Sequence, residues 1–326
     1  MRVAAIEVSH WHALWDAAYL RVLAAMPDVE LVGLHDANEA IAQQRAAELG
    51  HPPVFGDYRE MLAATRPDFV VALGQHRRMA ETAHYLLDHG HPFMMEKPLG
   101  LNAEEVRGVA DKASGKQAFA AVPLPQRYSP FVARAERMLD EGAFGPLSHI
   151  YLRLNRPTSA RYPAWGSPWM LDPALSGGGC LRNLGSHCFD LFLHLTGEPA
   201  RVMAAQVSRR VHGQPVEDYA SVQLRSASGV LGTVELGNTV PYDGSDGEFK
   251  IAGRDAILVL YHDDTLRVIT ARGEDTTKAA PPEPLYRTCV RDILDRRSRG
   301  AVPLVSAGDL LPVVQLIDEA YALTHG

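Results

Sequence analysis

Cysteine is scarce. Three residues in a chain of 326, Cys180, Cys188 and Cys289, are too few and too irregularly spaced for a disulfide scaffold or a cysteine-based metal site. A sparse, odd count fits a reducing compartment and predicts a cytoplasmic protein. Positive charge is not in excess either. The net charge of -7 gives no overall attraction to nucleic acid or to an anionic membrane, which excludes both as expected partners. No apolar run is long enough to span a bilayer. The chain opens on strand-like residues directly after Met1, with no charged region and apolar stretch, so no signal peptide is expected. Lysine is rare beside arginine, so a lysine at a mechanistic position is not one of a crowd. The remainder is ordinary: 46% hydrophobic and 22% charged residues, enough for a sizeable core, with a length that suggests two domains.

What is present is alternation. Residues 3–8, 29–35, 69–73, 92–96 and 117–122 are short apolar runs that predict buried strands. Between them lie helical patterns. Residues 11–26 carry an apolar stripe of Trp11, Leu14, Trp15, Ala18 and Val22 and predict one long helix. Asn38 can cap a helix to residue 49, and further helices are expected over 58–64 and 79–89. Asn102 followed three residues later by Glu105 resembles a capping box. Repeated strand–helix alternation argues for an N-terminal α/β domain over 1–122, a doubly wound parallel sheet of the dinucleotide-binding (Rossmann) type.

The chemistry of such a sheet gathers at the first strand–helix turn, where G-x-G-x-x-G lets backbone approach a pyrophosphate. Here the three glycine positions hold Glu7, Ser9 and His12. A carboxylate about 4 Å from a phosphate charge costs roughly 4 kcal/mol at an effective dielectric near 20. Ser9 can hydrogen-bond, and the helix N-terminus after His10 and Trp11 can still present N–H groups. The next checkpoint is intact. Asp36 ends the second strand, where an acid takes ribose hydroxyls, and Ala37 follows with no arginine for a 2′-phosphate, so a nicotinamide, if bound, is NAD rather than NADP. Nothing beside His10 and His12 completes a ligand set, and no metal is expected.

After the fourth run come Glu96, Lys97 and Pro98, an acid, an amine and a rigid turn at the carboxyl end of a strand, where ligands of open α/β sheets bind. A lysine there can steady charge on a substrate oxygen. Ser129-Pro130 then opens a helix to about residue 141. From residue 147 the texture changes to closely spaced strands over 150–154, 202–211, 220–224, 230–236, 249–251, 257–261 and 266–269. They predict a second α/β domain, over 123–326, with a large, mostly antiparallel open sheet. Residues 276–284 read as a polar, Pro-rich linker and 306–323 as a helix. Ahead of most of those strands, Asn183, His187, Asp190 and His194 recur at spacings of four, three and four on one helical face, after three glycines. A histidine so flanked can carry a proton to or from a hydroxyl.

Together these stretches resemble the Gfo/Idh/MocA oxidoreductase family across nearly the whole chain. Glu96-Lys97-Pro98 is similar to its E-K-P motif, Gln126 to Pro130 to the segment opening its second domain, Trp169 to Gly179 to its W-x-L-D-P…GGG stretch, and Gly185-Ser186-His187 with Asp190 to its G-x-H-x-x-D motif. Gly74-Gln75-His76 stands where the family has a Thr-Pro-x-x-x-His turn over the cofactor, without the Thr-Pro. The resemblance implies NAD(P)-dependent oxidation or reduction of a sugar, cyclitol or related small polyhydroxylated substrate by a homodimer or homotetramer. It implies Lys97 on the reacting oxygen, His187 as acid–base and Asn183, in place of an Asp, orienting His187. It implies cofactor contacts from Ser9, His10, Trp11, His12, Asp36, Gly74, His76, Glu96, Lys97 and Pro98. Arg127, Tyr128, Arg161, Tyr162, Trp165, Trp169 and Asp190 would shape the substrate pocket, aromatic planes suiting sugar faces and Arg forks suiting carboxylates. Loss of both the glycine loop and the Asp leaves two alternatives: a cofactor-independent lyase, epimerase or hydrolase on the same scaffold, or a non-catalytic member.

Overall fold

The structure, a computed structural model, describes residues 1–324. Two units emerge. The first comprises Met1–Pro123, Ala160–Gly177 and Tyr286–Leu311, and the second Leu124–Ser159, Gly178–Leu285 and the chain from Pro312.

In the first unit β1 (Arg2–Ile6), β2 (Glu30–His35), β3 (Val54–Phe55), β4 (Phe69–Ala72), β5 (Phe93–Met95) and β6 (Ala120–Ala121) form one sheet in the order β3-β2-β1-β4-β5-β6. Every pairing is parallel. The β4 and β5 side chains are buried throughout, as continuous apolar runs covered on both faces must be. The helices are α1 (Tyr19–Ala24), α2 (Glu39–Ala47), α3 (Tyr58–Thr65), α4 (His76–Asp88) and α5 (Ala103–Gly115). Asn38 and Asn102 cap α2 and α5 as expected, their side-chain oxygens accepting from Ile41 N and Glu105 N. The sheet order reverses between β1 and β4, which makes their carboxyl ends the topological switch point.

One expected element is not there. Residues 11–26 are not a single helix but a short 3-10 turn at Trp11–Ala13, an irregular stretch, and the six-residue α1. Asp16 and Ala18 take positive φ, 52° and 48°, which interrupts helical geometry. Of the expected stripe, Trp11 and Leu14 are buried and Trp15, Ala18 and Val22 are half-buried, along a folded-back turn rather than one helix face.

The chain then gives α6 (Pro130–Asp140), capped by Ser129 with Pro130 at its first position, β7 (Leu147–Pro157), and the short α7 (Arg161–Ala164) and α8 (Pro173–Ser176), which belong to the first unit. Next come α9 (Cys180–Thr196), β8 (Ala200–Ser208), β9 (Tyr219–Ser226), β10 (Leu231–Val240), β11 (Asp246–Gly253), β12 (Ala256–Tyr261), β13 (Thr265–Thr270), β14 (Gly273–Lys278), α10 (Leu285–Ser298) and α11 (Ala307–Thr324). The second sheet runs β14-β13-β12-β11-β7-β10-β9-β8. Only β7 and β10 pair in parallel; the other pairs are antiparallel. Helix α9 lies on this sheet so closely that a Cβ at Gly232 would come 2.6 Å from the Phe192 ring. The expected linker over 276–284 is in part β14, an edge strand whose residues are all exposed. It lacks the apolar alternation by which a strand is recognised.

Candidate functional site

The turn after β1 is closed on itself. Glu7, at the first glycine position, adopts φ 56°. Its carboxylate reaches across to the N-terminus of α4, where Oε2 accepts from Gln75 N at 3.1 Å and Oε1 pairs with Arg78 at 3.0 Å. That reach explains Gly74: its φ is +104°, and a Cβ there would meet Glu7 Oε2 at 2.5 Å. Burial pushes the Glu7 carboxyl upward against the opposing pull of Arg78. Asp36 is buried, with Oδ2 accepting from Ser9 N at 2.7 Å and Oδ1 from Asn38 N at 2.9 Å. Other turn amides are engaged within the protein too: Val8 N donates to His35 O, His10 N to Glu7 O, Ala13 N to His10 O, and His12 N to His10 Nδ1.

Side chains fill the space above that turn. His10, Trp11 and His12 are 1%, 1% and 4% exposed. The His10 ring stacks on Trp11 at 3.9 Å, and Trp11 meets Tyr162 edge-on at 5.0 Å. Trp11, Tyr162, Trp169 and Met170 form one buried cluster, flanked by Trp15, Trp165, Leu171 and Leu175. Segment 160–177 is held there by Ser167 Oγ donating to Ser9 O at 3.2 Å and by Trp165 lying parallel to Trp15. Arg45 stacks over Trp15 at 4.3 Å, and Arg161 lies over Tyr162 at 4.5 Å. His76 is fully buried, its Nδ1 donating to Ser176 O at 2.6 Å and its ring edge-on to Trp169. The structure therefore groups Tyr162, Trp165 and Trp169, expected at the substrate, with His10, Trp11 and His76, expected at the cofactor.

Beside this cluster, at the end of β5, Lys97 precedes a cis Pro98. Lys97 is 2% exposed, with Nζ 6.0 Å from the Trp11 ring. Burial lowers its pKa, partly offset by Glu96 and Asp16. Glu96 collects donors: His12 Nδ1 at 2.9 Å, Lys97 N at 3.1 Å, and a short bond from Tyr19 OH. Burial alone would raise the Glu96 carboxyl, but His12, Lys97 and His10 outweigh it and hold it far below the usual carboxylate range. The sign follows. A depressed carboxyl stabilises the fold above its ordinary value of 4.5, and that contribution is lost as pH falls below it. Urea unfolding from about pH 6 to about pH 3 is expected to show a steeper loss of stability in the wild type than in Glu96→Gln.

In the second unit, Asn183 and His187 are buried along α9, 3% and 6% exposed. Burial of the helix start depends on Glu217, whose Oε1 accepts from Gly179 N, Leu181 N and Tyr321 OH at 2.8, 2.9 and 2.7 Å. Asp190 forms a bidentate pair with Arg127, at 2.6 Å from Nε and 2.7 Å from Nη2, and Arg127 also contacts His194, which pairs with Glu136. Asp190 and Arg127 thus hold each other, the arginine serving to join the Pro125–Tyr128 turn, which ends in half-buried Tyr128, to α9. Glu217, Tyr19 and Arg45 escape sequence reading, since each acts through a partner distant in the chain and stands in no motif. Among the described residues no group of three or more His, Cys, Asp or Glu side chains could hold a metal ion, and no helix is long and apolar enough to cross a membrane.

Two family models match. Residues 14–123 match the oxidoreductase family with NAD-binding Rossmann fold, and residues 132–259 match the GFO/IDH/MocA C-terminal domain. The first match begins beyond the altered turn. D-glucoside 3-dehydrogenase of Escherichia coli (strain K12) is 29% identical over 174 residues, 53% of this chain and 48% of that protein, so the chain matches about half that relative's length. Inositol 2-dehydrogenase of Rhizobium meliloti (strain 1021) is 23% identical over 315 residues, 93% of this chain and 91% of that one. An oxidoreductase from Agrobacterium radiobacter, solved in complex with NAD+, L-tartaric acid and magnesium, superposes with a TM-score of 0.88 at 16% identity, covering 100% of this chain and 96% of that one. At that identity the likeness is one of fold.

Proposed function

Since the chain belongs to the Gfo/Idh/MocA oxidoreductase family, we propose that it is an NAD-dependent oxidoreductase acting on a hydroxyl or carbonyl group of a sugar or cyclitol. The observation that carries this reading is the pair of family matches, which together take in Lys97 on its cis-Pro98 turn and Asn183 and His187 on α9. The names of the relatives, a glucoside and an inositol dehydrogenase, support the substrate class. In this proposal Lys97 donates a hydrogen bond to the reacting oxygen. His187 takes or returns its proton, and the Asn183 amide orients His187 without the charge a carboxylate would add. Homo-oligomeric assembly and a cytoplasmic location belong to the same proposal.

The first unit, as arranged here, does not fit a dinucleotide. The turn amides of Val8, Ser9, His10, His12 and Ala13 are all engaged within the protein. Both Asp36 oxygens are taken, the Glu7 carboxylate covers the α4 N-terminus, and Trp11 and His10 fill the space above. No step is therefore derived through the cofactor. The same observation favours a second reading, acid–base chemistry on a sugar-like substrate without a dinucleotide. One experiment separates them. Purified protein is incubated with NAD+ and a panel of sugars and cyclitols, and NADH is followed at its absorbance maximum. The oxidoreductase reading expects turnover on at least one compound, reduced by about 10²–10⁴-fold in His187→Ala. No NADH formation across the panel, with conversion of a sugar in the absence of any nucleotide, would establish the second reading instead.

A further inference from the structure

The histidines that stand in the altered turn do more than fill it. We infer that His12, oriented by Glu96, and His10 form a proton-transfer site of their own, which enolises a small open-chain sugar by moving the proton on the carbon beside its carbonyl. This inference rests on the second reading above, acid–base chemistry without a dinucleotide, and gives that reading its residues.

Two imidazoles with opposite proton roles carry it. His12 Nδ1 lies 2.9 Å from Glu96 Oε1. Burial opposes ionisation of Glu96, yet His12, Lys97 and His10 hold it as a carboxylate. A carboxylate only accepts, so His12 Nδ1 bears a proton in either charge state of the ring. The neutral ring therefore has its lone pair at Nε2, the arrangement of a general base steadied by a carboxylate. Tyr19 OH and Lys97 N also donate to Glu96 and fix it in place. The pair is removed from bulk water, the His12 and Glu96 side chains being 5% and 1% exposed, and His12 is the member that solvent reaches.

His10 has the complementary role. Its Nδ1 accepts from His12 N at 3.1 Å, so the proton of the neutral ring is on Nε2. Burial, then the charge of His12, pushes the His10 pKa well below its ordinary value, and the ring stays neutral. Nε2 is buried without a hydrogen-bond partner among the described residues. A buried N–H with no acceptor is costly, and an oxygen that gains negative charge during a reaction is the acceptor it serves best. The two rings lie 5.2 Å apart between centroids, inclined at 60°, near enough to serve one small molecule. Both belong to the turn after β1, and Glu96 to the end of β5, the carboxyl edge at which open α/β sheets bind ligands.

The step balances without an oxidant. His12 Nε2 takes the proton from the carbon beside the carbonyl. The C–H electron pair becomes the C=C bond, and the C=O pair moves onto oxygen, where His10 Nε2–H holds the enolate. Return of a proton from His12 to that carbon restores the carbonyl, so in D2O the carbon gains deuterium.

The probes are glycolaldehyde, dihydroxyacetone and D-fructose, incubated in D2O with the full chain and no nucleotide, and deuterium beside the carbonyl is followed by proton NMR. The wild type is expected to exchange at least one probe faster than buffer alone. His12→Ala lowers that rate by about 10²–10⁴-fold. Added imidazole restores part of it, which a merely structural role for His12 would not allow. His12→Gln, which keeps a donor for Glu96 but has no base, carries the same test if alanine unfolds the turn. His10→Phe lowers the rate by about 10²–10³-fold, and His10→Gln, which keeps an N–H donor, lowers it less. Exchange unchanged in the His12 and His10 variants would overturn this site and leave the acid–base reading to Lys97 and His187. No exchange of any probe by the wild type would also overturn the site, and the acid–base reading would then be decided by the nucleotide-free sugar panel above.

Discussion

Lys97→Met is expected to lower kcat on the sugar or cyclitol substrate by about 10²–10³-fold, the usual effect of removing one donor aimed at a reacting oxygen, with a smaller change in stability, because the desolvation cost that is removed and the pairing with Glu96 that is lost act in opposite directions. The stability half of this expectation rests on the burial of the amine and on its charge beside Glu96. A buried ammonium is costly to desolvate, and burial is the main cause of the lowered Lys97 pKa. Methionine fills nearly the same volume with an unbranched chain and carries no charge, so the desolvation cost of the amine disappears, while Glu96 loses the attraction of the Lys97 charge. Glu96 keeps its bonds from His12, Tyr19 and the backbone N–H of residue 97. Urea unfolding and steady-state kinetics on the same preparation check both halves. A variant that loses activity and stability in parallel would mean that Lys97 is a structural pair for Glu96, and the role assigned to it would be withdrawn.

Much of the fold is legible in the residue pattern because it is local. Apolar runs of four to six residues mark β1, β2 and β4, and Asn38, Asn102 and Ser129 announce their helices through caps that involve neighbours three residues away. Failures occur where the deciding interaction is distant. The stripe from Trp11 to Val22 has helical spacing, yet Trp11 and Trp15 at its start pack against segment 160–177, and the backbone breaks at Asp16 and Ala18. Strand β14 is entirely exposed, so pairing with β13 rather than burial defines it. Helix α10 buries only Cys289, Val290, Ile293 and Leu294 amid charged residues, and its mean pattern is too polar to stand out.

The candidate site divides the same way. Lys97, Pro98, His187 and the substitution of Glu7 for glycine are visible in sequence, because each sits in a short motif. What Glu7 does with its carboxylate is not visible, since Gln75 and Arg78 lie in another strand–helix unit. The aromatic filling is legible only as a list of Trp, Tyr and His residues. Their convergence on one cluster requires segment 160–177 to return across the turn, which no spacing encodes.

The largest effect on stability is expected from Glu217→Ala, a loss of about 3–5 kcal/mol, which is a large share of the roughly 5–15 kcal/mol typical of a domain. Helix α9 begins at Gly179 with no side-chain cap of its own. Glu217 supplies the cap from the β8–β9 connection, one oxygen accepting from two backbone amides and from Tyr321 OH. Burial, then the Glu217 charge, push the Tyr321 phenol well above its ordinary value, so it remains a donor at every working pH. Alanine would leave these three donors facing a carboxylate-sized void. Water could repair that only partly, because Glu217 is 2% exposed and Gly179 lies so close that a Cβ there would come 2.2 Å from Glu217 O. The negative end of a carboxylate at a helix N-terminus is also lost. Glu217→Gln keeps an acceptor oxygen in place and is expected to cost less, about 1–2 kcal/mol. Urea titration of the two variants measures the difference. Since α9 carries Asn183 and His187, hydrogen exchange along Cys180–Asn183 should rise in Glu217→Ala before the global transition, because the first turn opens when its cap is gone. Equal stability of the alanine and glutamine variants would mean that neither the acceptor oxygen nor the volume that glutamine keeps contributes, and the helix start would then be held by bonds such as Cys180 N–H to Glu217 O and Arg182 N–H to Tyr321 OH.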